Sequence, residues 1–111
     1  MEINEQTKGA VRVLRPRGPL CGTDAEQFKT RASEAATAAM GRIVIDAGSI
    51  PFVDSQGLEV MAELGDLLGQ TGNTLRLAGA NETLREVLEL TDLASQFEHF
   101  EDVNAAVRSF L

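Results

Sequence analysis

Apolar residues recur along the chain in two periods, and the shorter period predicts the strands. Residues 43–45, Ile-Val-Ile, form a continuous apolar run, which is typical of a short strand covered on both faces. Residues 75–78 repeat this pattern, and residues 97–100 predict a last short strand. Residues 2–15 alternate loosely around a turn at residues 7–9, which predicts a hairpin of two short strands.

Spacings of three and four residues indicate four helices between and after these strands. The apolar positions are Phe28, Ala32, Ala35, Ala36 and Ala39 in the first helix, Leu58, Met61, Leu64 and Leu68 with Leu67 beside them in the second, Leu84, Val87, Leu88 and Leu93 in the third, and Val103, Val107 and Phe110 in a helix over residues 103–111. Thr23 or Asp24 is expected to cap the first helix and Asn81 the third, because side-chain oxygens before a helix accept its free N–H groups.

This alternation predicts an α/β layer fold with a largely parallel central sheet, because parallel strands need helical crossovers. In such sheets, sites form beyond the carboxyl ends of the strands, at the helix N-termini. Three predicted loops share that edge, at residues 18–24, 47–55 and 79–82. We therefore expect the functional site there.

Length, charge and composition narrow the function classes. A chain of 111 residues with 43% hydrophobic and 24% charged residues is typical of one globular domain, here taken as residues 1–111. A net charge of −7 and scattered basic residues argue against a nucleic-acid partner. No apolar run approaches the roughly 20 residues needed to span a bilayer, so no membrane insertion is expected. A single cysteine, Cys21, fits a reducing compartment, and a cytoplasmic location is expected.

Ser55 is the residue on which the chemistry is expected to depend. It follows Asp54 where a strand–loop segment meets a helix, so free backbone N–H groups lie beside it. A phosphate on Ser55 would add about −1.5 to −2 charge at a helix N-terminus, a position that favours anions. Such a modification would change surface charge more than fold, which suits a binding switch. The alternative is that Asp54 and Ser55 only cap the helix.

Catalytic alternatives find little support in the residues. A serine nucleophile needs a base, yet the only histidine, His99, is predicted on a strand outside the three loops, and the Gly-x-Ser-x-Gly pattern is absent. A phosphoaccepting Asp46 would need a late lysine, but no lysine follows Lys29. Cys21 has no neighbouring cation to activate it, which favours a structural or contact role. We therefore expect no enzyme, no cofactor and no metal.

Several stretches resemble one known family. Residues 43–46, Ile-Val-Ile-Asp, and residues 52–58, Phe-Val-Asp-Ser-Gln-Gly-Leu, resemble the signature of STAS domains, above all bacterial anti-sigma-factor antagonists. Residues 18–25 agree, as do residues 75–79 with residues 84–93, so the resemblance extends from about residue 9 to the end. It implies a mixed four- or five-stranded sheet packed by about four helices.

The resemblance also implies regulation by partner switching. In that scheme an anti-sigma factor, which is also an ATP-dependent serine kinase, phosphorylates the antagonist and is released, and a metal-dependent PP2C-type phosphatase reverses the step. Carried over, Ser55 is the phosphoacceptor. Gly57 would let the partner's backbone approach closely. The implied contact patch consists of Cys21, Gly22, Thr23, Asp24, Asp54, Gln56, Gly57 and Glu59.

Two departures from the family pattern leave a second function open. Cys21 stands where family members commonly carry Asp, and Gln56 replaces a frequent Ser or Thr. Either change would alter phosphorylation or partner choice without changing the fold. Some STAS proteins are not switched by phosphate, and serve as scaffolds or as the cytoplasmic subunit of a lipid-transport complex. The sequence keeps this interaction module as the alternative.

Overall fold

The computed structural model describes residues 1–111 as a five-stranded sheet with four α-helices. The strands are β1 (Glu2–Lys8), β2 (Val11–Arg17), β3 (Ile43–Asp46), β4 (Leu75–Ala78) and β5 (Phe97–Phe100), and the helices are α1 (Gly22–Ala38), α2 (Ser55–Gly69), α3 (Glu82–Leu90) and α4 (Val103–Arg108). Short 3₁₀ turns precede the α2 segment and β5. The predicted order of strands and helices is confirmed.

The sheet has the order β1-β2-β3-β4-β5, with β1 antiparallel to β2 and all other neighbours parallel. The predicted mixed sheet is therefore confirmed. Each crossover from β2 to β5 moves the chain one strand in the same direction. Since crossovers are right-handed, α1, α2 and α3 pack on one face. The chain after β5 is free to return over the other face, where α4 lies.

Each face of the sheet has its own core. The larger cluster holds 21 buried residues, including the whole alanine-rich face of α1 around Phe28, whereas the α4 side holds only five. Ile43 and Ile45 face the larger cluster and Val44 the smaller, so β3 is buried on both sides as its apolar run predicts. Burying Phe28 completely contributes roughly 2–3 kcal/mol.

Some boundaries differ from those that the sequence predicts. The hairpin turn lies at residues 9–10, and β2 continues through Pro16 to Arg17. Pro16 lacks an N–H group, and an N–H at this position would point toward β3. Because β3 pairs only with residues 12–14 of β2, no sheet hydrogen bond is lost at Pro16. Helix α4 ends at Arg108 instead of Leu111. On α2, Val60 is buried, while Leu67 is 40% exposed.

The start of α1 is corrected more substantially. The N-cap residue is Cys21, and neither Thr23 nor Asp24 caps the helix. The first N–H group, that of Gly22, instead donates to a carboxylate from another part of the chain, that of Asp54. The cap is tertiary because loop 18–24 and loop 47–55 lie side by side.

Candidate functional site

The two loops that precede α1 and α2 run side by side as a short extended pair. The Leu20 N–H donates to the Phe52 carbonyl at 3.2 Å, and the Asp54 N–H donates to the Leu20 carbonyl at 3.2 Å. A parallel bridge between Leu20 and Val53 continues the sheet hydrogen bonding beyond β2 and β3. These bonds bring the first turns of α1 and α2 to one place.

Asn81 attaches the third loop to the same edge. Its Oδ1 accepts the Leu84 N–H at 2.7 Å and so caps α3, as the sequence predicts. Its Nδ2 donates to the carbonyls of Ile50 and Pro51 at 3.2 and 3.3 Å. The predicted convergence of loops 18–24, 47–55 and 79–82 is confirmed.

Asp54 connects the N-termini of two helices with one carboxylate. Its Oδ1 accepts the Gly57 N–H of α2 at 2.8 Å, and its Oδ2 accepts the Gly22 N–H of α1 at 3.1 Å. Gly22 has a φ of +52°, a left-handed conformation that favours glycine and turns the chain into α1. Both helix dipoles stabilise the negative charge of Asp54. The carboxylate therefore holds the two first turns in a fixed relative position.

Ser55 is exposed and is the first residue of α2. Asp54 supplies acceptors for the Gly57 and Leu58 N–H groups, through its side chain and its carbonyl respectively. The N–H groups of Ser55 and Gln56 donate to no other backbone group. An anionic group on the Ser55 oxygen would therefore stand beside two available donors and the positive end of the α2 dipole.

Gly57 has a different role from the one expected. It is buried, and a Cβ at this position would lie 2.2 Å from the Leu20 carbonyl oxygen. The glycine thus allows α2 to pack against loop 18–24 of its own chain. The close backbone approach is within the molecule, because loop 18–24 already covers this side of the helix.

The other predicted contact residues lie at the N-terminal ends of α1 and α2, the second of which begins with Ser55. Gly22, Thr23, Asp54 and Glu59 are exposed, whereas Cys21, Asp24 and Gln56 are partly buried. Cys21 is a free thiol. The structure thus brings all of these predicted residues except buried Gly57 to one exposed surface.

Two further residues join this surface without a clear signal in the sequence. Phe52 is 51% exposed beside Asp54, although it belongs to the apolar run of residues 50–53. Glu26 of α1 accepts a hydrogen bond from the Gln56 amide of α2. Pro51 interrupts the apolar run, which is the one local sign that the whole run does not form a buried strand.

The surface is acidic and carries one cross-helix ion pair at its border. Asp24 and Glu26 lie near the N-terminus of α1, Asp54 caps α2 and Glu59 lies in its second turn. Lys29 of α1 pairs with Glu63 of α2. The hydrogen bond to Glu63 raises the pKa of Lys29 above 10.5, and nearby carboxylates add to the effect. Lys29 is therefore already paired, as is the N-terminal ammonium of Met1, which lies 3.4 Å from Asp24 Oδ1.

His99 does not approach this surface. It lies on β5, as predicted, and both of its ring nitrogens are buried. The structure contains no cluster of three or more His, Cys, Asp or Glu side chains placed to hold a metal ion. No helix has both the length and the apolar character that crossing a membrane requires.

Comparison with known families decides the classification. The family model of the STAS domain matches residues 2–106. The chain belongs to the STAS domain family. The match confirms the resemblance noted in the sequence and extends it over almost the whole chain.

Solved structures agree on the STAS fold. A candidate anti-sigma factor antagonist from Thermotoga maritima is 20% identical, with a TM-score of 0.87 over 96% of this chain and 92% of that one. The Bacillus cell fate determinant SpoIIAA in its phosphorylated form is 18% identical, with a TM-score of 0.74 over 99% of this chain and 100% of that one.

The same fold also occurs within larger proteins. The murine anion transporter Slc26a9 is 17% identical, with a TM-score of 0.70 over 95% of this chain but only 18% of that one. A comparison with curated proteins found no significant match. At these identities the structural likeness establishes the fold, and function must be argued from the site.

Proposed function

We propose that this STAS domain is an anti-sigma-factor antagonist that acts by partner switching at Ser55. The unphosphorylated form binds an anti-sigma factor with serine kinase activity, phosphate on Ser55 releases it, and a PP2C-type phosphatase restores binding. The proposal includes a non-catalytic role, a cytoplasmic location and residues 1–111 acting as one domain.

The observation that carries the proposal is the geometry of Ser55. Its side chain is exposed on the first turn of α2, beside two N–H groups without backbone acceptors, while Asp54 fixes the turn on which it stands. A phosphate can therefore be added without displacing a buried group. The fold would remain the same while the surface changes charge.

The surroundings of Ser55 support a partner of defined character. Phe52 presents an exposed aromatic side chain, and the neighbouring acids make the rim negative. Such a surface suits a partner with an apolar pocket and basic flanks, since aromatic anchors dominate interface energies and complementary charge speeds association. A phosphate on Ser55 would stand inside this contact and not at its rim, so binding would bury a charge that the basic flanks do not reach, and the partner would be released.

The direct test is the intact mass of the protein isolated from its own cells, with and without phosphatase treatment. We expect a phosphate that maps to Ser55 and is absent from Ser55→Ala. The co-purified partner then serves in a binding assay with Ser55→Asp, for which we expect at least tenfold weaker binding. Equal affinity of Ser55→Asp and Ser55→Ala would contradict the proposal.

Two controls separate the switch from nonspecific effects. Ser55→Asp places an acid at a helix N-terminus, where the dipole offsets repulsion from Asp54, and urea unfolding of this variant checks that it stays folded. Asn104→Asp adds the same charge to the first turn of α4, on the opposite face of the sheet. This variant should bind the partner like the wild type, because its charge lies away from the Ser55 surface.

The alternative is a STAS interaction module that is not switched by phosphate. The occurrence of this fold within an anion transporter favours it, as do Cys21 and Gln56 in place of the usual family residues. Gln56 is moreover occupied by its hydrogen bond to Glu26. Unmodified protein under all growth conditions, with a constitutive transport or scaffold partner, would support this function.

A further inference from the structure

Strand β1 forms an open edge of the sheet over seven residues. In the neighbouring strand β2, the main-chain groups of residue 12 point toward β3, since the Arg12 N–H donates to the Arg42 carbonyl just before β3 at 2.9 Å. Main-chain groups alternate in direction along a strand, so the other even-numbered residues of β2 also point toward β3. Odd-numbered residues of β2 therefore bond to β1, and their partners in β1 are the even-numbered residues. The main-chain groups of Ile3, Glu5 and Thr7 consequently point away from the sheet, and no other backbone group bonds to them.

We propose that this edge pairs with β1 of a second copy of the chain, antiparallel and centred on Glu5. The two-fold axis is then perpendicular to the sheet and joins two five-stranded sheets into one of ten strands. The outward N–H and C=O groups of Ile3, Glu5 and Thr7 in one copy bond to those of Thr7, Glu5 and Ile3 in the other. Each of these three residue pairs forms two hydrogen bonds, about six in total. The register pairs Glu2 with Lys8, Ile3 with Thr7, Asn4 with Gln6, and Glu5 with itself.

Charge makes this register self-complementary. Glu2 of each copy faces Lys8 of the other in a non-hydrogen-bonded pair, where opposite side chains come closest. Asn4 faces Gln6 in the same type of pair, so two amides meet. A shift of two residues in either direction leaves Lys8 opposite Asn4 or without any counterpart in the strand, and no ion pair forms. The edge thus favours one alignment over its neighbours.

This register places the two Glu5 carboxylates opposite each other, and each is neutralised by basic residues of its own copy. Glu5 accepts hydrogen bonds from Arg12 at 2.8 Å and Arg31 at 3.2 Å, so each carboxylate reaches the axis already paired. The hairpin of residues 2–17 carries four basic and two acidic residues, although the whole chain has a net charge of −7. Two copies therefore meet at a part of the molecule that does not carry the chain's net negative charge.

The pairing closes on itself and leaves the Ser55 surface free. A two-fold contact uses the β1 edge of both copies, so assembly ends at a dimer. Because the strands of the two copies run in opposite directions, their carboxyl edges lie at opposite ends of the joint sheet. A dimer would present two Ser55 surfaces that face away from each other, and this inference does not depend on phosphorylation of either.

The test is self-association of the purified chain, followed by sedimentation equilibrium up to about 1 mM. We expect a monomer–dimer equilibrium. Lys8→Glu should weaken the dimer about tenfold, because two attractive pairs become repulsive. Glu2→Lys should act likewise, while an equal mixture of the two variants, or the double variant, should restore association. Arg85→Glu, the same charge change on exposed α3, should leave the equilibrium unaltered.

A second measurement identifies the edge itself. The amide protons of Ile3, Glu5 and Thr7 should exchange more slowly as concentration rises, while those of residues 4 and 6 are protected by β2 at every concentration. Thr7→Pro removes one outward N–H and should weaken the dimer without unfolding the hairpin. The inference is overturned if the chain stays monomeric, if dimerisation is insensitive to Lys8→Glu and Thr7→Pro, or if the three amides show no dependence on concentration.

Discussion

Replacing Gly57 by alanine is the sharpest test of how α2 is packed. Helix propensity alone predicts that Gly→Ala within a helix stabilises the fold by about 0.5–1 kcal/mol. At Gly57 the new Cβ would lie 2.2 Å from the Leu20 carbonyl oxygen and 3.1 Å from the Leu20 Cβ. Leu20 is fully buried and its carbonyl accepts the Asp54 N–H, so it cannot move aside freely.

The magnitude follows from these contacts. Overpacking costs about 1–3 kcal/mol, and a weakened bond between the Leu20 carbonyl and the Asp54 N–H costs about 1 kcal/mol more. After the gain in propensity, we expect Gly57→Ala to lower the free energy of unfolding by about 1–3 kcal/mol. In urea titrations this loss corresponds to a midpoint lower by roughly 1 M.

Gly69 provides the matched control in the same helix. A Cβ at Gly69 meets no atom within 4 Å, so Gly69→Ala is expected to be neutral or to stabilise by about 0.5 kcal/mol. The assay is equilibrium urea unfolding of both variants and the wild type, followed by circular dichroism. If Gly57→Ala proves as stable as the wild type, or if both variants lose stability equally, the packing argument is refuted.

Three further predictions concern the caps and the ion pair. Asp54→Ala should lower the free energy of unfolding by about 2 kcal/mol, because both helix N-termini lose their acceptor. Asp54→Asn should cost about half as much, because the amide keeps one acceptor oxygen. Equal losses for the two variants in urea titrations would contradict this prediction. Asn81→Asp should keep the α3 cap but lose the amide donors to the 47–55 loop, which costs about 1 kcal/mol; unchanged unfolding would show that these bonds contribute nothing. Glu63→Gln should lower the pKa of Lys29 toward 10.5 in an NMR titration, and an unchanged pKa would exclude Glu63 as its main cause.

The sign of the Lys29 effect sets the pH range. The folded-state pKa is raised above 10.5, so the ion pair contributes its full stabilisation below that pH. The contribution is lost as pH rises through the raised pKa. On the alkaline side, stability curves of wild type and Glu63→Gln should therefore run parallel near neutrality and converge as pH rises through the raised pKa of Lys29.

Most of the fold could be predicted because burial imposes a local period on the chain. The apolar run of residues 43–45 predicts a strand buried on both faces, and the alanine spacing of α1 predicts its buried face; both are confirmed. The convergence of three loops followed from the connectivity of parallel strands, since their carboxyl ends must share one edge. Asn81 as a cap was predictable too, because a capping bond spans only three residues.

The sequence by itself thus determined the strands, the helices and the edge at which Ser55 stands. Tertiary structure alone decided how that edge is built. The carboxylate of Asp54 reaches Gly22 across 32 residues, and Gly57 is needed because Leu20 passes over it. Phe52 is 51% exposed although it belongs to the apolar run of residues 50–53. A local sequence pattern shows which side chains are buried. The contacts between distant backbone groups depend instead on how the loops pack against each other, and no periodicity in the sequence encodes this packing.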